Sequence, residues 1–137
     1  MARLLLTIQH LEEEFANLLD HRHELFYADM VNGALRAAKE HQVEAIICGM
    51  AFNESRMFDL LRAAKSDPDL STTPFICCRM RDCKRLHSVL QSIRLACQGL
   101  GGIFVDFYSM KQTGRASEIM DVIDTAIKER RASSPTA

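Results

Sequence analysis

The chain has 137 residues, 47% apolar and 26% charged, enough for one domain with a buried core and ordinary for a globular protein. Its 17 basic and 18 acidic residues leave a net charge of −1, so no global field argues for nucleic acid or an anionic membrane as partner. No apolar run approaches the roughly 18 residues of a membrane span. Leu4-Leu5-Leu6 is too short for a secretory h-region, and five cysteines, an odd number, suit a reducing compartment, so a cytoplasmic location is expected.

Apolar runs and helical patterns alternate from end to end. Residues 3–8 read as a buried strand, and Leu11, Phe15, Leu18 and Leu19 recur at helical spacing after it. Residues 24–28 form a second strand that alternates less cleanly and belongs nearer a sheet edge. Asp29 is a suitable N-cap for a helix carrying Val31, Ala34, Leu35 and Ala38. Residues 43–48 are apolar almost throughout, as in a strand covered on both faces. Asn53 or Ser55 can cap a third helix whose inner face holds Phe58, Leu61 and Ala64, with Leu60 nearby, and the Asp67-Pro68 turn ends it.

Residues 75–79 are the fourth strand. Leu86, Val89, Leu90, Ile93 and Cys97 make the stripe of a fourth helix that stops at Gly99, and residues 103–107 are the fifth strand. The last helix spans about 117–130 with Ile119, Met120, Ile123 and Ile127 inward, and the small polar tail 132–137 is expected to fray. Five βα units of this length demand an α/β fold in one domain, residues 1–131. The expected sheet is doubly wound, parallel and five-stranded, in the order 2-1-3-4-5.

One segment carries more than a pattern. From Val43 to Met80 the chain reads Val-Glu-Ala-Ile-Ile-Cys-Gly-Met, a polar loop, Met-Phe-Asp-Leu-Leu-Arg-Ala-Ala-Lys-Ser-Asp-Pro-Asp-Leu, and then Thr-Pro-Phe-Ile-Cys-Cys-Arg-Met. It resembles, without a gap, the middle of a receiver domain of two-component response regulators, a flavodoxin-like fold. The resemblance extends more loosely over the whole chain. It implies two acids after the first strand to hold magnesium, a phosphoacceptor aspartate after the third, Thr or Ser after the fourth and Lys after the fifth. The cation and the lysine would neutralise the phosphoryl oxygens.

This chain departs from that pattern at each position. Gln9 and His10 stand where the acids belong, Gly49 where the phosphoacceptor belongs, Arg79 for the hydroxyl and Asp106 for the lysine. Glu12, Glu13 and Glu14 fall in the first helix and read as a solvated face. The family's switch aromatic falls at Ile103, beside Phe104. The resemblance therefore implies a degenerate phosphoacceptor pocket and a pseudo-receiver, with no catalytic residues, metal or cofactor expected. Neighbouring strands lie about 4.8 Å apart, so Arg79 and Asp106 are expected to pair over Gly49.

Other constellations are weaker. Cys77 and Cys78 are adjacent in a strand and point to opposite faces, which argues against one tetrahedral site with Cys83 and His87. Cys48 and Cys97 read as core, and Cys83 as the exposed thiol. Arg79, Arg81, Lys84 and Arg85 make a basic loop. Arg79 and Arg81 would suit an anion, although no Gly-rich cradle accompanies them, and the bland reading pairs Arg79 internally and leaves the rest solvated. Gly99-Leu100-Gly101-Gly102 precedes a strand, so it is no dinucleotide fingerprint. His21 and His23 read as exposed turn residues.

Two functions follow as expectations. The leading one is a signalling module that works without phosphorylation. It would act through a protein partner or a homodimer contact on the fourth and fifth helices, a surface the family implies and Met110 hints at. The alternative is a sensor of a small anion or nucleotide in the crevice at the carboxyl ends of the strands.

Overall fold

Strand side chains alternate between two faces, and in the computed structural model, which describes residues 2–8, 13–20 and 22–133, both faces are covered. Strands β1 (Ala2–Thr7), β2 (His23–Tyr27), β3 (Ala45–Gly49), β4 (Phe75–Cys78) and β5 (Ile103–Val105) form one parallel sheet in the order β2-β1-β3-β4-β5. The helices are α1 (Glu13–Asp20), α2 (Val31–Glu40), α3 (Phe52–Ser55), α4 (Met57–Ser66), α5 (Leu90–Gly99), α6 (Phe107–Gln112) and α7 (Glu118–Ser133). A 3-10 helix, Lys84–Val89, precedes α5.

Leu4, Leu6, Ile47, Ile76 and Cys78 face one cluster, where Phe15 and Leu19 of α1 meet Ile119, Ile123 and Ile127 of α7. Phe15 and Phe107 pack edge to face there, centroids 4.9 Å apart. Leu5, Ile46, Cys48, Phe75 and Cys77 face the other cluster, against Ala34 and Ala38 of α2 and Leu60, Leu61 and Ala64 of α4. The period of two in the strands thus divides the core cleanly. Among the described residues no helix is long and apolar enough to cross a membrane.

Several local expectations change. Asp29 does not cap α2: the N-cap is Met30, in extended backbone with no side-chain cap bond. Asn53 and Ser55 do not cap the long third helix either. Both lie in α3, a single turn, at φ 45° and 69°, and α4 starts behind Arg56. With Phe52 and Met57 fully buried in the same cluster, Phe58 is left half-buried at its edge.

The expected fourth helix divides into the 3-10 segment and α5, and of its stripe only Cys97 is buried. The fifth strand ends at Val105 because Asp106 caps α6, accepting a hydrogen bond from the Ser109 N–H at 3.0 Å, so Phe107 starts a helix. Helix α7 runs through Ser133, past the expected start of the tail, and residues 134–137 lie outside the described residues. Gln9, His10, Leu11, Glu12 and His21 also lie outside them.

Candidate functional site

The carboxyl ends of β3, β4 and β5 converge beside the point where the strand order reverses, where ligands sit in open α/β sheets. Gly49 ends β3, buried, with ordinary negative φ, and a Cβ built on it would meet Ile8 Cγ2 at 3.5 Å, a normal contact. Neither backbone conformation nor space demands glycine here. What glycine removes is the carboxylate that the receiver pattern places at this position.

Arg79 follows β4 directly. Its N–H donates to the Val105 carbonyl at 2.9 Å, and its own carbonyl accepts from the Tyr108 N–H at 2.9 Å. These bonds carry the β4–β5 pairing past the strand ends and fix the side chain inward, at 8% exposure. A guanidinium taken out of water needs counter-charge and acceptors. Its Nη1 donates to both Asp106 carboxylate oxygens at 3.0 Å, and its Nη2 donates to Asp82 Oδ1 at 2.9 Å. Tyr108 lies under the cation, 5.0 Å from Cζ to ring centroid.

Asp106 therefore does two jobs, as counter-ion of Arg79 and as cap of α6. Asp82 is shared with His87, whose Nε2 touches the same oxygen. The imidazole first, and the Arg79 and Lys84 charges after it, hold the Asp82 carboxyl below the usual carboxylate range. The inward pair of Arg79 and Asp106 was legible in the chain. Asp82 and Tyr108 were not, although Asp82 at i+3 from Arg79 and Tyr108 at two past Asp106 are signals of that kind.

Beside this cluster lies a cavity of about 290 Å³ whose lining includes Ile8, Gly49, Met50, Ser55, Arg79 and Arg81. Met80, Asp82, Cys83, Arg85, Leu86 and Leu90 also line it. Gly49, Arg79 and Arg81 are thus brought together, whereas Asp106 stands behind Arg79 and does not reach the cavity. Arg81 and Arg85 are exposed and have no ion-pair or hydrogen-bond partner among the described residues.

The cysteines divide as strand alternation requires, Cys77 in one cluster and Cys78 in the other. Burial pushes the Cys48 thiol up to about 12 and raises Cys78 as well, which removes both as nucleophiles. Cys77 and Cys97, joined by a shared sulfur contact of 2.6 Å across β4 and α5, are also fully buried. Cys83 is partly exposed.

His23 corrects an expectation. It is not an exposed turn residue but part of β2, 6% exposed, with Nε2 3.0 Å from Asp124 of α7. Met110 is also not exposed; it packs half-buried against the α1–α7 cluster. Phe104 is half-buried on β5, with the Arg94 guanidinium 5.3 Å from its ring centroid.

A magnesium ion requires hard oxygen ligands, commonly carboxylates. Here β3 supplies none, and the two carboxylates nearest the end of β4 are already held by one guanidinium. Among the described residues no group of three His, Cys, Asp or Glu side chains is placed to hold a metal. Among the described residues the donor set does not fit the ion.

No family model matches the chain, and no curated protein matches it. Solved structures do. The receiver domain of a signal transduction histidine kinase from Syntrophus aciditrophicus superposes with TM-score 0.69 at 16% identity, over 100% of this chain and 96% of its own. A response regulator receiver domain protein from Clostridium thermocellum gives 0.67 at 20% identity, over 96% and 98%. The receiver domain of a sensor histidine kinase from Pseudomonas aeruginosa, with magnesium coordinated in its active-site cleft, gives 0.67 at 14% identity, over 93% and 98%. At these identities the likeness is one of architecture, and this chain has the fold of the response-regulator receiver domains.

Proposed function

We propose that this chain is a pseudo-receiver: a cytoplasmic regulatory module, not an enzyme, that signals through protein contacts and without phosphorylation. The observation that carries the reading is the Arg79 guanidinium, buried and saturated by Asp106 and Asp82 next to a β3 that ends on glycine. A receiver needs an acid there to accept the phosphoryl group and free positive charge to stabilise it. In this chain the acid is missing, and the charge of Arg79 at the end of β4 is neutralised internally. The contact surface is the one the receiver resemblance suggests, α5 and α7, toward a protein partner or a second copy.

The test is treatment of the full chain with acetyl phosphate and magnesium, followed by intact mass. The expected result is an unmodified mass. A phosphoryl adduct mapped to the peptide containing the end of β3 overturns the reading.

A second reading, a small-molecule sensor in the same crevice, is favoured by one specific observation: Arg81 and Arg85 line it without counter-charge.

A further inference from the structure

The crevice combines an apolar wall with uncancelled positive charge. Its wall is apolar and half-buried, formed by Ile8, Met50, Met80, Leu86 and Leu90. Its cations do not cancel. Arg79 is neutralised by Asp106, and Asp82 is already engaged by Arg79 and His87. Arg81 and Arg85 remain, both exposed at the cavity and unpartnered among the described residues.

We infer that the crevice between the β3 end and the 3-10 helix binds an amphipathic monocarboxylate, with its apolar body against Met50, Met80, Leu86 and Leu90 and its carboxylate held by Arg81 and Arg85. The inference rests on the small-molecule reading and narrows it to one chemistry. A planar carboxylate matches the guanidinium fork. The apolar wall excludes water, which strengthens that pairing, and thioether side chains adapt to an apolar body of irregular shape.

Size narrows the choice further. At about 30 Å³ per water-sized group, a cavity of about 290 Å³ holds roughly ten heavy atoms. That matches the part of a medium-chain or single-ring carboxylate that the crevice would enclose. A phosphate group gains less here, because the lining has a single glycine and no Gly-rich backbone cradle. Among the described lining residues Ser55 supplies the only hydroxyl, too little to read a base.

The experiment is calorimetric titration of the full chain at low salt with four probes: octanoate, its neutral isostere octanamide, inorganic phosphate and AMP. Octanoate is expected to bind one to one, with octanamide and phosphate each weaker by roughly ten-fold or more, since each lacks one half of the recognition. The double variant Arg81→Ala/Arg85→Ala should weaken octanoate by a similar factor without moving the urea midpoint, because both side chains are exposed. Methyl NMR shifts at Met50, Met80, Leu86 and Leu90 should mark the site.

If octanamide binds as well as octanoate, or the double variant binds octanoate unchanged, the carboxylate inference is overturned. If phosphate or AMP binds and octanoate does not, the inference falls while the sensor reading stands. If none of the four binds, both fall.

Discussion

Arg79 organises its neighbourhood because a guanidinium that is 8% exposed must keep its partners. Asp106→Ala removes a counter-ion and the cap of α6 together. A fully buried cation stranded this way costs about 3–5 kcal/mol, but Asp82 remains here, and we expect a loss of about 2–4 kcal/mol including the cap. Asp106→Asn separates the two roles, since an amide oxygen still accepts from the Ser109 N–H. Urea midpoints for the pair decide the matter: Asn should recover only the capping share, and an Asn variant as stable as wild type would show that the charge contributes little.

Asp82 gives a pH signature at the same scale. Its carboxyl is held low in the folded state, so its contribution is fully present above the unfolded value of about 3.9 and is lost as pH falls through the lower folded value. Wild type should exceed Asp82→Asn in stability at pH 6, and the gap should narrow as pH falls below the ordinary aspartate value. A constant gap across that range would sink the assignment.

At the scale of elements, the junction between α5 and β5 leaves no room for a side chain at Gly102. A Cβ on Gly102 would lie 2.8 Å from Cys97 Sγ and 3.2 Å from both the Cys97 carbonyl oxygen and Leu61 Cδ2. Gly102→Ala should therefore cost about 1–3 kcal/mol by overpacking. Adding Cys97→Ala removes the sulfur and should return part of that loss in a double-mutant cycle, whereas strictly additive effects would place the strain elsewhere.

The same region marks where sequence reasoning stopped. Near-continuous apolar runs at residues 43–48 and 75–78 set the buried strands, and the βα rhythm set the sheet order. Helical spacing identified the stripe from Leu86 to Cys97, but spacing cannot say whether anything lies opposite it. Edge strand β5 is three residues long and offers little surface, so only Cys97 is covered. Caps failed for a related reason: Asp29 and Ser55 have the right chemistry but stand one residue before the N-caps Met30 and Arg56, and Asn53 stands three before Arg56. The Arg79–Asp106 pair was legible because both sit at strand ends, where register fixes distance. Asp82 sits in a loop, where it does not.

For the molecule as a whole, the two faces of the sheet are unequally sealed. One is closed by α1 and the long α7. The other is closed by α2 and α4 but only touched by α5, and the 3-10 helix before it buries no residue. Val89 and Leu95 are left 41% and 57% exposed on this segment. Among the described residues Tyr27 and Met30 are the other large exposed apolar side chains, at the opposite, β2 edge. Closed two-fold pairing is the commonest way for such a surface to be covered, and the proposed contact on α5 and α7 makes a definite prediction. Sedimentation at tens of micromolar, where a weak specific contact of about −6 kcal/mol begins to populate, should show a dimer. Leu95→Glu places a charge in that contact and should give a monomer, with a change in stability within about 0.5 kcal/mol, as for an exposed position. Met30→Glu is the matched control on the other edge and should leave the dimer intact. A monomeric wild type, or a dimer lost with Met30→Glu and kept with Leu95→Glu, would move the contact away from α5 and leave the exposed face for a different protein.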